Sequence, residues 1–324
     1  MNAISCKAPA RLLGLVLAVS CALAYGAADA PQTTAATAAP SAVAGPQLPA
    51  LSVEQLVQRN QAARGGAAAW KAVQSLTVNG TLDAGRARPD NGRNPSATER
   101  AVDKPGKSTK PGQAPEQQAA ATDLGVPVTL PYTLYMARPN KQRLEVTLKD
   151  ETLLQVFDGK NGWKLQPYLH RGVLPFSAEE LQKAREFQDI DSPLFDAASK
   201  GTRIALDGTD TIDGRPAYRL ALTLKSGTVR HVWLDAETFL DVQVDGTRRL
   251  NGKDVRQLTT QADFRAVGAL KLPFLLQTRA DGVKDANQIR VDKVLVNPPL
   301  DAALFAKPAD TATAATPAVA AAAR

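Results

Sequence analysis

The sequence is poor in cysteine and histidine and has few of the motifs that mark enzymes. Cys6 and Cys21 are the only cysteines among 324 residues, so a chain that loses its N-terminus has no disulfide and no thiol nucleophile. The two histidines, His170 and His231, form no HxxxH or HExxH pattern, and these are the common zinc motifs. No GxSxG elbow of a serine hydrolase occurs. We therefore expect no catalytic residues, no metal and no cofactor.

Long apolar runs are also scarce. The run Leu12–Val19 follows the basic residues Lys7 and Arg11 and precedes small residues, and it is too short to anchor the chain across a bilayer. This pattern predicts a signal peptide over residues 1–28 and export to an oxidising compartment. Cys21 leaves an alternative open, an outer-membrane lipoprotein acylated at that residue, although the third residue before it is Ala18, where a lipobox carries leucine.

The net charge of +7 and the pI of 9.4 could indicate a nucleic-acid partner, but an exported protein does not meet one. Three segments have few of the large apolar residues needed for a core: a linker (residues 29–49), an insertion (residues 84–122) and a tail (residues 309–324). Each is predicted to be disordered. The remaining chain, residues 50–308 with the insertion, is predicted to be a single domain.

The adjacent glycines Gly65 and Gly66 allow two interpretations. A phosphate-binding loop needs a strand before the glycines and GK[ST] or GxGxxG after them. Here a helix precedes them, begun by a capping box of Ser52 and Gln55. Gly65 falls where a left-handed helix C-cap is expected, and a second short helix with Trp70 inward follows. The sequence therefore favours a joint between two helices.

Beyond these helices the pattern becomes β. Residues 76–82 alternate apolar and polar side chains, and later strands are separated by tight turns such as Asp213-Gly214. The DGKNG stretch (residues 158–162) lacks the spaced carboxylates of a calcium loop and predicts a hairpin. Short joints favour antiparallel neighbours. The predicted fold class is mainly β with α: a large curved antiparallel sheet of about 10–11 strands, an open half-barrel enclosing N-terminal and mid-chain helices, including one over SPLFDAASKG.

A few polar and aromatic side chains are candidates for a site. Asp189, Asp191 and Asp196 could hold a cation or form a glycosidase pair, but Asp191 and Ser192 are also good helix N-caps, and capping is the favoured role. His231 lies in a predicted strand and is expected on its polar face. The strand tryptophans Trp163 and Trp233 either line a ligand cavity or pack in the core.

The order of several motifs resembles the LolA-like outer-membrane lipoprotein-sorting and lipoprotein carrier superfamily. The motifs are ARGGAAAWKAVQSLTVNGTL, YMARPNKQRLE, VFDGKNGWKL, SPLFDAASKG and VLVNPPLDAALFAKP. The resemblance implies a half-barrel whose mouth is plugged by helices and whose apolar concavity takes acyl chains, without covalent chemistry. Arg138 and Arg143 are candidates, by neighbourhood, for the arginine that locks the lid in this family. The insertion at residues 84–122 departs from the compact carriers.

With this fold, the side chains expected to bind an apolar ligand are Trp70, Tyr135, Trp163, Tyr218, Leu220, Leu222, Trp233, Val242 and Phe274. The leading hypothesis is a monomeric, non-enzymatic periplasmic carrier or binder of lipid or lipoprotein acyl chains. The alternative is an envelope sensor or scaffold of the same fold that binds an inner- or outer-membrane protein. A third is a hydrolase that depends on Asp191 or His231. Lipid in the purified protein would favour the carrier over the other two.

Overall fold

The computed structural model describes residues 47–87, 126–149, 151–167, 172–187, 189–250, 253–283 and 286–309. The helices are α1 (Val53–Ala63), α2 (Ala67–Lys71), α3 (Ala178–Phe187) and a 3-10 helix (Ala302–Phe305). The strands are β1 (Ser75–Ala87), β2 (Val126–Ala137), β3 (Lys141–Leu148), β4 (Glu151–Phe157), β5 (Gly162–Leu165), β6 (Val173–Pro175), β7 (Arg203–Ile212), β8 (Arg215–Thr223), β9 (Val229–Asp235), β10 (Asp241–Leu250), β11 (Lys253–Val267), β12 (Leu270–Ala280) and β13 (Asn287–Val296).

All thirteen strands form one antiparallel sheet with the order β6-β5-β4-β3-β2-β1-β13-β12-β11-β10-β9-β8-β7. Strands that follow one another in the chain are neighbours, except for β6 and β7, which lie at the two edges. In addition, β1 pairs with β13 and so joins the two halves of the chain. The sheet ends at β6 and β7 and does not close, which makes it an open half-barrel and confirms the predicted fold class. The chain from β6 to β7 crosses between these two edges through α3 and a series of turns.

Two large clusters of buried apolar side chains, among the described residues, lie on the concave face of the sheet. The larger one contains the alternating residues Leu76, Val78 and Leu82 of β1, as the sequence predicts, with residues of β2, β3, β12 and β13. The second contains Leu220 and Leu222 of β8 with residues of β9 and β10. A strand shows alternate residues to opposite faces, so each of these strands contributes one row to the core.

The N-terminal helices pack on this concave face. Helix α1 begins with the predicted capping box, in which Ser52 Oγ accepts from the Gln55 amide and Gln55 Oε1 accepts from the Ser52 amide. It ends in a Schellman motif: the Gly66 amide donates to the Gln61 carbonyl and the Gly65 amide to the Ala62 carbonyl. Gly65 has φ +107°. The glycine pair is a joint between α1 and α2, as predicted.

The tight turns also form where the sequence places them. In the β4–β5 hairpin, the Asp158 carboxylate accepts from the amides of Lys160 and Asn161, so the DGKNG stretch is a turn and not a metal loop. After β9, the buried Asp235 accepts from the Thr238 amide and hydroxyl and from Arg215. Burial by itself would raise the pKa of Asp235, but these hydrogen bonds outweigh it and hold the pKa below its ordinary value.

Four predictions of extent need correction. The sheet has thirteen strands and not ten or eleven; β6 has only three residues, too few to show an alternating pattern. Strand β1 continues to Ala87, four residues into the predicted insertion, because it still pairs with β2 there. Leu48 packs against the second cluster, so the predicted linker ends before residue 49. The SPLFDAASKG stretch forms turns, because Asp196 takes a left-handed φ of +49° that a helix cannot contain.

Other predicted segments lie outside the described residues. They are the signal peptide at residues 1–28, with Cys21, most of the linker, residues 88–122 of the insertion, residues 310–324 of the tail, and His170. Their predicted roles stay predictions.

Candidate functional site

Two of the cavities formed by the described residues lie on the concave side of the sheet, and one short segment separates them. The inner cavity, of about 50 Å³, lies among Trp70, Leu76, Val78 and other core residues. The outer cavity is far larger, about 610 Å³. The segment Asp189–Pro193, here called the lid segment, contributes Ile190 and Ser192 to the inner cavity and Asp189, Asp191 and Pro193 to the outer one. Alternate residues of the lid segment thus line opposite cavities.

Arg138, just after β2, fastens the lid segment. Its Nη1 and Nη2 donate to the two carboxylate oxygens of Asp191 at 2.8 and 2.6 Å. Its Nε donates to the Val73 carbonyl at 2.6 Å and its Nη2 also to the Trp70 carbonyl at 3.2 Å. The hydrogen bonds to Asp191 raise the pKa of Arg138 above its ordinary value, against the effect of partial burial. One guanidinium therefore joins the sheet, helix α2 and the lid segment.

The second lid-arginine candidate, Arg143, lies elsewhere. Its Nε donates to Glu145 at 2.6 Å and its Nη1 to the Leu304 carbonyl at 3.2 Å, in the 3-10 helix. It faces away from the lid segment, so the structure distinguishes two arginines that the sequence could not.

A buried ion pair lies at the inner cavity. Arg64, at the C-cap of α1, has its Nη1 2.7 and 2.8 Å from the two carboxylate oxygens of Asp241 in β10. The two side chains are only 7% and 1% exposed. The Arg64 guanidinium also lies 5.1 Å from the centre of the Trp70 ring, and Trp70 Nε1 donates to the Arg64 carbonyl at 3.0 Å. This pair connects the plugging helices to the far half of the sheet.

The outer cavity combines an apolar floor with a charged rim. The floor is formed by Leu222 and Val232, on neighbouring strands β8 and β9. Arg230, 3% exposed, also lines the cavity. It stands directly opposite Leu222 in the β8–β9 register and therefore on the same face. The cavity volume falls in the range of about 300–1,000 Å³ that is common for small-molecule sites.

Five of the nine predicted ligand-binding residues lie in the concave clusters. Trp70 and Phe274 belong to the larger cluster and Tyr218, Leu220 and Leu222 to the second. Trp70 lines the inner cavity and Leu222 the outer one. The five residues thus come from both halves of the sheet.

The other four predicted residues lie elsewhere, and their assignment to the cavity needs correction. Tyr135 and Trp163 stand in one cross-strand row through Arg143 and Val156. Because β2 presents Leu134 and Met136 to the larger cluster, this row occupies the opposite, convex face, where Arg143 contacts the 3-10 helix. Both faces of this part of the sheet are covered, which the sequence pattern could not reveal.

On the other half, Trp233 points away from its buried neighbours Val232 and Leu234, and its Nε1 donates to Asp210 at 2.6 Å. Val242 is the extra residue of a β-bulge between Asp241 and Gln243. It is half-buried, and the fully buried side chain at that point is Asp241.

The polar candidates do not form one site. Asp191 pairs with Arg138, and Ser192 Oγ accepts from the Leu194 amide at 3.3 Å. The favoured role of a helix N-cap needs correction, because the residues that follow form turns and not a helix. His231 lies on the convex face, as predicted for a polar-face residue, with its Nδ1 2.7 Å from Asp245. In the described residues, no group of three or more His, Cys, Asp or Glu side chains could hold a metal ion.

Sequence reasoning missed Arg64, Asp241 and Arg230. A signal for Arg230 exists: it precedes Val232 and Leu234 by two and four residues, so alternation places it on their apolar face. No comparable local signal pairs Arg64 with Asp241, which lie 177 residues apart. Among the described helices, none has the length and apolar character needed to span a bilayer.

No family model and no curated protein matches the sequence. Solved structures are similar in fold. A LolA superfamily protein from Nitrosomonas europaea has a TM-score of 0.47 and 11% identity, covering 80% of this chain and 99% of its own. A DUF1329 family protein from Desulfovibrio piger has the same TM-score and identity, with 79% and 97% covered. A domain named as an outer membrane lipoprotein-sorting protein, from Vibrio parahaemolyticus, has a TM-score of 0.45 and 12% identity, with 77% and 94% covered.

The first of these structures comes from the superfamily that the motif order of this chain resembles. All three TM-scores are below 0.5, so the functional proposal rests on the cavities and side chains of this chain.

Proposed function

We propose that the protein is a non-enzymatic carrier or binder of lipid or lipoprotein acyl chains in the periplasm. The observation that supports this most is the lid segment, which divides one apolar concave surface into an inner and an outer cavity. The inner cavity has room for only a few water molecules. Displacement of the lid segment would join the two cavities into one apolar site.

The lid segment is held by side-chain contacts and not by the backbone hydrogen bonds of a strand. Its displacement therefore has a small free-energy cost. Hydrogen bonds to charged groups contribute about 1.5–3 kcal/mol each, so loss of the contact between Arg138 and Asp191 is well within the energy that a ligand can supply. Each methylene of an acyl chain contributes about 0.8 kcal/mol on burial. About ten buried methylenes would offer about 8 kcal/mol before the costs of binding.

In this proposal the acyl chain contacts the five concave residues Trp70, Tyr218, Leu220, Leu222 and Phe274. The protein functions as a monomer after removal of residues 1–28, and its residues 50–308 form a single domain. The two polar candidates for hydrolysis, Asp191 and His231, lie on opposite faces of the sheet, which favours binding over catalysis.

The first experiment is mass spectrometry of an organic extract from the full chain, purified from a Gram-negative periplasm. Stoichiometric lipid or acylated peptide would support the carrier and identify its cargo. An empty extract, repeated after incubation with lipid and still empty, would overturn the proposal and favour the scaffold that binds a membrane-protein partner.

The second experiment tests the lid segment. Asp191→Asn keeps one acceptor for Arg138 but removes the charge. If the contact weakens by about 1.4 kcal/mol, uptake of a fluorescent fatty acid should be about tenfold faster. The matched control is Asp196→Asn in the following turn, whose carboxylate makes an exposed contact of 3.7 Å with Lys71. Equal uptake rates for both variants and the wild type would show that Asp191 does not limit ligand entry.

A further inference from the structure

Gln142 places an amide among the apolar side chains of the concave face. It lies in β3 and precedes Leu144 and Val146 of the larger cluster by two and four residues, so alternation puts its side chain on their face. Gln142 is only 2% exposed. Among the described residues, neither its Nε2 nor its Oε1 has a hydrogen-bond partner. An unpaired buried amide destabilises a folded protein, so this side chain needs an explanation other than stability.

The position of Gln142 is between the elements that separate the two cavities. In the sheet register it stands opposite Met136 of β2 and Phe157 of β4. Met136 lines the inner cavity together with Ile190 of the lid segment. Phe157 packs with Ala184 of α3, and the last turn of α3 lines the outer cavity. Gln142 itself belongs to the lining of neither cavity, but displacement of the lid segment would add it to the joined site.

We propose that Gln142 binds the carbonyl group of an acyl chain, with its Nε2 donating to the ester or amide oxygen of the ligand after the lid segment has moved. This inference rests on the proposed function and adds a specificity-determining residue and the chemical group that it recognises. The carbonyl adjoins the first methylene of an acyl chain, so a chain on the apolar concave face brings this acceptor into the same apolar surroundings. A buried donor discriminates against a ligand that lacks the acceptor, because the donor then stays unpaired.

The first test measures stability without ligand. Gln142→Met removes the amide and keeps the length of the side chain, and we expect it to raise the Tm of the full-length protein by about 2–4 °C. The matched control is Gln61→Met in α1. Gln61 Nε2 donates to the Leu194 carbonyl at 3.4 Å, so loss of this amide should lower Tm. Gln142→Leu, which has a different shape, separates the effect of the amide from that of packing and should also be at least as stable as the wild type.

The second test measures recognition of the carbonyl. The ligands share one chain and one dihydroxypropyl head and differ in the group that joins them: monolauroylglycerol (an ester), its lauroyl amide analogue and dodecyl glyceryl ether. In calorimetric titrations of the full-length protein, the ester and the amide should bind at least about fivefold more tightly than the ether, or about 1 kcal/mol. Gln142→Met should lose this preference through weaker binding of the ester and the amide, whereas Gln61→Met should keep it.

The two carbonyl ligands also distinguish the source of the acyl chain. An amide that binds more tightly than the ester would show that Gln142 Oε1 accepts the N–H of the ligand and would assign the site to amide-linked chains. Equal binding of the ester and the amide, both tighter than the ether, would show that the carbonyl alone is recognised.

Four outcomes contradict the inference in different ways. Equal binding of all three ligands by the wild type would refute recognition of the carbonyl and leave the carrier function standing. A preference that survives in Gln142→Met would assign recognition to another residue. A lower Tm for both Gln142→Met and Gln142→Leu would show that the amide already stabilises the free protein. Failure of all three ligands to bind would overturn the carrier proposal as well.

Discussion

The buried pair of Arg64 and Asp241 allows the most direct test of how the half-barrel retains its helices. Asp241→Ala would leave the Arg64 guanidinium, now 7% exposed, in the core without its carboxylate. Breaking a buried pair in this way costs about 3–5 kcal/mol. For a domain of this size, each kcal/mol lowers Tm by about 2–4 °C, so the expected loss is about 6–20 °C.

A double substitution should restore the stability that Asp241→Ala loses. Replacing both partners by apolar residues, Arg64→Met with Asp241→Leu, removes the charge that would remain buried and should recover most of the lost stability. The backbone carbonyl of Arg64 still accepts from Trp70 in that variant. Urea unfolding followed by tryptophan fluorescence measures both variants. A loss below about 1 kcal/mol for Asp241→Ala, or a double variant no more stable than the single one, would show that the pair is not what holds the helices.

Three further experiments test the helix joint, the apolar face and the charge of a buried carboxylate. Gly65→Ala should destabilise the protein by more than about 1 kcal/mol, because its Cβ would overlap a backbone carbonyl of the β11–β12 hairpin. A Cβ at Gly66 would meet no atom within 4 Å, so Gly66→Ala should lower the stability less in the same thermal melt. Leu222→Glu, at a position 1% exposed, should abolish folding or lipid binding. Its control, Leu206→Glu at a position 41% exposed, should preserve both. Lipid binding by a folded Leu222→Glu protein would refute the assignment of Leu222 to the inner face. Asp235→Asn should be less stable than the wild type above about pH 5, and this difference should vanish as pH falls below about 3.9 and through the lowered pKa of Asp235. A difference that stays constant with pH would mean that the carboxylate charge contributes nothing.

Apolar alternation along a strand explains why the sequence predicted some site residues correctly and not others. Alternation in PAYRLALTLK groups Tyr218, Leu220 and Leu222 on one face, and the structure places that row in the second cluster. In the short strand β5, Trp163 and Leu165 also alternate with polar residues, yet their row lies on the convex face. Alternation states which side chains share a face; it does not state which face is concave, and here both faces are covered.

The sequence alone determined the features that depend on neighbouring residues. The capping box at Ser52, the glycine joint at Gly65 and the antiparallel order of strands follow from local hydrogen bonding and short connections. Only the tertiary structure decided the pairing of β1 with β13, the contact of Arg138 with Asp191 and the two cavities on either side of the lid segment. These bring together residues far apart in the chain, and their geometry depends on how the whole sheet curves, which no local pattern encodes.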